Sequence, residues 1–197
     1  MRIRLLPLAL FCAASSASAA TLGVDVRGAD GKPLAGAVVV LETPRKASGP
    51  IHFAWSNVMA QRNIAFDPHV LIVPVGSSVN FPNQDKVRHH VYSVSRTKKF
   101  DLKLYGRDET RSVVFDKPGV VALGCNIHDA MSGVIIVVDT PFAAQTDANG
   151  HAVLTGVPAG AATARLWHPS IRAPDNMTAQ PVSVAANGGS ITLAARR

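Results

Sequence analysis

The 197-residue chain is poor in cysteine, with only Cys12 and Cys125. Cys12 falls in a segment expected to be removed. Met1–Arg4 carries two arginines, Leu5–Ala13 is apolar, and Ala17-Ser18-Ala19 is a small-residue cleavage site. Those are the marks of a secretory signal peptide over residues 1–19. The mature chain then keeps Cys125 alone, which excludes an internal disulfide. An exported protein usually pairs its thiols, so a lone one has to be buried or bound to something. Long apolar runs are also lacking. The run in the leader is far short of the roughly 20 residues that a spanning helix needs, and Phe11 stands before Cys12 where a lipid-anchored cysteine would want a small residue. A periplasmic protein that does not span a membrane is expected. Excess charge of one sign is modest: 18 Lys/Arg face 13 Asp/Glu after the leader, and the positions are scattered. With aromatics at 6%, that is a solvated surface and excludes a nucleic-acid-binding one. No nucleophile–base motif is present, so no enzyme is expected.

Helical periodicity is missing as well, while strand signals are dense. Leu22–Arg27 alternates, Ala29–Lys32 turns, and Ala37–Leu41 is an apolar β-branched run. Val70–Val75 and Ser77–Phe81 flank Gly76. His89–Val94, Phe100–Tyr105, Ser112–Phe115, Val120–Leu123 and Val134–Val138 follow. Further strands are expected at His151–Leu154 and Thr163–Trp167, with two more around Asn187-Gly188-Gly189. This spacing predicts an all-β chain of sandwich or barrel type. Ile51–Arg62 is the exception, read as a short helix or an irregular loop. Val24–Glu42 and Thr146–Pro169 together resemble the two parts of a carboxypeptidase-regulatory-like, prealbumin-type β-sandwich. About a hundred residues separate them, which implies an inserted domain. The expected division is 20–43 and 141–197 for that sandwich, 44–62 as a connecting segment, and 63–140 for the insertion. A single larger sandwich flanked by unrelated hairpins is the alternative.

The stretch Gly124–Gly133, GCNIHDAMSG, places a thiol, an imidazole and a thioether at three-residue intervals between two expected strands. An inert buried cysteine and a core methionine are the bland reading. With a second histidine the same residues make a His₂Cys trigonal set with a weak axial Met, a copper arrangement. Zinc more often takes a second Cys or a carboxylate and has no use for methionine. The second histidine is available in Val79–Tyr92, VNFPNQDKVRHHVY. Together these two segments, over roughly Asn63–Asp139, resemble the cupredoxins, the blue-copper proteins, and amicyanin among them. Phe81, Asn83, His89 and Val91 fit the family's aromatic-x-Asn and His-x-Val pattern without a gap. Lys117–Cys125 resembles its Pro-Gly approach to the thiolate, and Cys-x-x-His-x-x-Met its short ligand loop.

That resemblance implies a Greek-key cupredoxin sandwich holding one type 1 copper ion on His89, Cys125, His128 and Met131. It further implies one-electron transfer with a redox partner protein, and His128 as the solvent-edge exit for the electron. His90 competes with His89, because successive strand residues face opposite ways and only one can reach the ion. The gap-free register puts His90 where the family has an Asn near the ligands. As the non-ligand, His90 would be partly exposed or would fix the Cys125 loop through its ring NH. Two departures stand out: Asp129 replaces the family's Pro beside the loop histidine, and Val121 and Leu123 replace aromatics before the cysteine. Copper delivery, storage or sensing without electron transfer is the second functional reading. His52, His69, His151 and His168 have no partner pattern, and Trp55, Met59, Trp167 and Met177 are read as packing residues.

Overall fold

In the computed structural model, which describes residues 19–46 and 49–195, the chain is all-β. In chain order the strands are β1 (Ala19–Arg27), β2 (Val38–Glu42), β3 (Ala60–Arg62), β4 (Ala65–Asp67), β5 (Val70–Pro74), β6 (Ser77–Pro82), β7 (His89–Val94) and β8 (Lys99–Tyr105). They continue as β9 (Thr110–Phe115), β10 (Gly119–Cys125), β11 (Ser132–Val138), β12 (Ala143–Gln145), β13 (His151–Pro158), β14 (Gly160–Trp167), β15 (Met177–Val184) and β16 (Gly189–Ala194). The leader expected over 1–19 lies outside the described residues, except for Ala19, which opens β1. Among the described residues no helix is long and apolar enough to cross a membrane.

Strands from the two ends of the chain share sheets. β1 lies between β13 and β16, antiparallel to the first and parallel to the second. β2 sits in a second sheet ordered β12-β2-β14-β15. The intervening strands form a five-stranded sheet, β5-β11-β10-β7-β8, and the pairs β6–β9 and β3–β4. Alternating side chains make three apolar layers from these sheets. Leu22 and Val24 meet Val39, Leu41 and Leu166 in one. Phe81, Val91, Tyr105, Phe115, Val121 and Ile135 fill another, together with Cys125. Between them, Val38, Val40 and Trp167 pack on Ile72, Ile136 and Val138. β2 and β11 therefore bury both faces, which is why their sequences run apolar without alternating.

Ile51–Arg62 contains no helix; it ends in β3. Met59 is fully buried in the layer that holds Cys125, and its N–H donates to the Asn80 carbonyl at 2.9 Å. Gln61 bridges to Asn83. The end of the expected connecting segment is thus packed into the layer that holds Cys125. β3 and β4 are three residues each, too short for a period-two pattern to be visible.

On the outer sheet, Asp25 of β1 accepts from the His151 ring of β13 at 2.9 Å and from the Ser190 hydroxyl of β16 at 3.1 Å. The His151 ring and the Ser190 hydroxyl hold its carboxyl below the usual carboxylate range. A carboxyl lowered in the fold contributes stability that is present above its ordinary titration and is lost as the pH falls through it. Urea midpoints of the wild type are therefore expected to drop between about pH 5 and pH 3. Asp25→Asn removes this carboxyl's share and makes that limb shallower, the remainder coming from other carboxyls that are also held low, Asp85 and Asp101 among them. A limb as steep as in the wild type would show that Asp25 contributes nothing to it.

Candidate metal centre

β10 and β11 pair antiparallel with Gly124 opposite Ser132, so Asn126–Met131 must close a tight loop. Backbone bonds fix it. The Cys125 N–H donates to Met131 O at 3.2 Å, Met131 N–H to His128 O at 2.8 Å, and Asn126 N–H to His90 O at 3.1 Å. Gly124 is required by a close approach: a Cβ there would lie 2.9 Å from the Tyr92 ring. Cys125 ends β10 opposite Val91 of β7, which brings β7 alongside the thiol.

Alternation on β7 decides which histidine faces inward. His89, Val91 and Ser93 are buried, whereas His90 and Tyr92 are partly exposed. His89 Nδ1 lies 3.7 Å from Cys125 Sγ, and His128 Nδ1 lies 3.9 Å from it. These three donor atoms all fall within 4.8 Å of one another. Cys125 and His89 are buried, and His128 is the half-buried member. Met131 is 2% exposed and belongs to the same apolar cluster as Cys125. The structure thus places His89, Cys125 and His128 around one point, buries Met131 in the same apolar cluster as the thiol, and puts His90 on the other face of β7.

The spacing suits a bound ion better than mutual hydrogen bonds. Bond lengths of about 2.1 Å to nitrogen and about 2.3 Å to sulfur, at a trigonal angle near 120°, separate N and S by about 3.8 Å. The observed 3.7 and 3.9 Å match that on both sides of the thiol. A single S–H has one proton, so it cannot satisfy two ring nitrogens. The donor set, one thiolate, two imidazoles and a nearby thioether, fits copper by its softness.

A carboxylate outside the expected ligand set completes the surroundings. Asp85 Oδ2 lies 2.8 Å from His89 Nε2. Its oxygens also accept from the Asn63 N–H at 2.6 Å and the Ile64 N–H at 2.9 Å. Burial works against the charge, but the Ile64 N–H, the His89 ring and the Asn63 N–H hold the Asp85 carboxyl below its ordinary range. As an acceptor, Asp85 requires Nε2 of His89 to carry a proton. In a neutral ring that leaves the Nδ1 lone pair facing Cys125.

Asn83 is not hydrogen-bonded to the donor atoms. Its Oδ1 accepts from the Asp85 N–H at 2.9 Å, and its Nδ2 donates to Val87 O at 2.9 Å and Tyr105 O at 3.2 Å. It therefore braces the turn that carries Asp85. The His90 ring is bonded to Asp101, so it does not fix the cysteine loop; that is done by the His90 carbonyl. Lys103 and His90 together hold the Asp101 carboxyl far below its usual range. Asp129 is exposed and stands outside the donor group. Beneath the site Tyr105 is fully buried; its hydroxyl donates to Gln61 Oε1 at 2.6 Å, with Phe81 O 3.0 Å away. Burial pushes its pKa well above the ordinary value, so it stays a neutral donor.

No protein-family model and no curated protein matches the chain. Solved structures do. A purple cupredoxin from Nitrosopumilus maritimus is 24% identical over 41% of this chain and 96% of its own, with a TM-score of 0.37. An oxidised amicyanin variant is 22% identical over 51% of this chain and 98% of its own, with a TM-score of 0.38. A copper-containing nitrite reductase from Thermus scotoductus SA-01 is 27% identical over 49% of this chain but only 25% of its own, with a TM-score of 0.40.

Proposed function

We propose that this chain is a periplasmic copper-binding protein of cupredoxin type that carries single electrons between partner proteins and catalyses no reaction itself. The observation that carries the reading is the pair of Sγ–Nδ1 separations, 3.7 and 3.9 Å, at a buried thiol whose apolar cluster also holds the buried Met131. His89, Cys125 and His128 would hold the ion, with the Met131 thioether as a weak fourth donor. The bound ion supplies a one-electron Cu(II)/Cu(I) couple.

The protein's own residues do the rest. Strand pairing and the loop's backbone bonds preset the donor positions, so little has to move when charge changes. The apolar layer around Cys125 excludes water. His128, the one donor that is not buried, is the point where a partner's redox group would dock. The sandwich built from the two chain ends, prealbumin-like in its sequence pattern, would serve for attachment or interaction, with the copper domain inserted in it.

The test is to add Cu(II) to residues 20–197 and record uptake, visible absorption and voltammetry. One ion per chain, an intense thiolate-to-Cu(II) band and reversible cycling are expected. Tight Cu(I) binding without a stable Cu(II) colour would favour delivery or storage instead. Absence of stoichiometric copper would refute the metal reading.

A further inference from the structure

We propose that Asp85 is a positioning residue of this centre: it fixes the tautomer of His89 and, through its charge, favours the oxidised over the reduced ion. The inference rests on the copper reading above. Its starting point is the line of atoms from Asp85 Oδ2 through the His89 ring to Cys125 Sγ, with steps of 2.8 Å and 3.7 Å at the two ring nitrogens. His89 is fully buried and the Asp85 side chain is only 13% exposed, so water does little to screen this pair.

The chain goes to some length to place that carboxylate. Asn63 and Ile64 both adopt left-handed backbone, at φ 54° and 57°. A β-branched residue such as Ile64 is rarely found there. The conformation aims two successive N–H groups at the two oxygens of Asp85. From the other side, Asn83 accepts from the Asp85 N–H and ties the turn to Val87 and Tyr105. Strain and a buried amide converge on one side chain whose remaining hydrogen bond goes to His89. A purely structural turn would need neither the charge nor this aim.

The chemical consequence follows from charge. A Cu(II) ion with the Cys125 thiolate has a net charge of +1, which Asp85 brings to zero. Taking up one electron leaves the ensemble at −1 in an apolar surround, which is unfavourable. A carboxylate bonded to the far nitrogen of a ligating histidine also raises the basicity of the ring. Both effects favour Cu(II).

Asp85→Asn keeps the shape and one acceptor oxygen but removes the charge. With copper sulfate as the Cu(II) probe and competing chelators for each oxidation state, Cu(II) affinity is expected to fall by about 10- to 100-fold. Cu(I) affinity changes by much less, and the reduction potential rises accordingly. Equal losses in both states, with an unchanged potential, would make Asp85 merely structural and overturn the inference while leaving the copper reading intact. Nitrogen-15 NMR of the metal-free wild type needs no variant and should find neutral His89 protonated at Nε2; protonation at Nδ1 overturns the positioning role. If the wild type takes up no copper, the metal reading falls and the charge effect with it, and the tautomer alone decides the positioning.

Discussion

Cys125→Ser is expected to abolish the intense visible band of the copper-loaded protein and to weaken Cu(II) binding by more than ~100-fold, beyond the range of substitutions outside the donor set. A serine hydroxyl stays protonated at neutral pH and gives neither the short covalent bond nor the charge transfer of a thiolate. His89→Ala should be nearly as severe. It removes one of two nitrogens beside the sulfur and leaves Asp85, a half-buried carboxylate, without its ring partner. His90→Ala is the control that gives the comparison its force. That ring lies on the other face of β7 and is bonded to Asp101, so its loss should leave the band within a few per cent of wild type. Titration of the three variants with Cu(II), followed by visible and EPR spectra, checks this. If His90→Ala bleaches the protein and His89→Ala does not, the register of β7 is wrong. An unchanged band in Cys125→Ser would dispose of a copper thiolate altogether.

What the sequence could reveal about this centre was set by where its information is local. Cys125, His128 and Met131 lie within one loop, so their spacing alone suggests a ligand set. His89 is more than thirty residues away, and alternation alone could not choose it over His90; only the family register leaned that way. The choice depends on which side chains of β7 lie on the same side of the sheet as Cys125, a tertiary fact fixed by the pairing of Cys125 with Val91. Asp85 does not stand out in the motif, although it lies only four residues before His89. A signal was available, because a ligating imidazole needs an acceptor at its other nitrogen, and Asp85 is the acidic residue nearest His89 in sequence. The pattern around it, Pro-Asn-Gln-Asp-Lys, reads simply as a turn, and the left-handed Asn63–Ile64 backbone that completes the cradle has no glycine to mark it. Long strands such as β1 and β7 were legible from alternation. β3 and β4 were not, because three residues carry no period. The same limit concealed the middle layer: an apolar run such as Val134–Val138 announces burial on both faces but not what covers the second one.

That middle layer sets the other large effect. Ile136 is 1% exposed, on the face of β11 opposite Ile135 and Val137, and packs with Val38, Val40 and Trp167 from the terminal strands. Ile136→Ala removes three buried carbons from a layer shared by both parts of the molecule. It should cost about 2–4 kcal/mol, since close packing on both sides limits relaxation into the cavity. For a chain of this size that lowers the melting temperature by roughly 5–15 °C. The donor atoms lie on the other side of the sheet, among Val121, Leu123 and Ile135, so the visible band below the transition should be unchanged. Because the eight buried residues of this layer come from both the terminal strands and the middle ones, destabilising it should loosen both together. Far-UV circular dichroism and the copper band are then expected to disappear in one coincident transition, in wild type and variant alike. Two separated transitions, with the band surviving the first, would mean that the copper-binding part holds its fold without the terminal strands and that the shared layer contributes little to it.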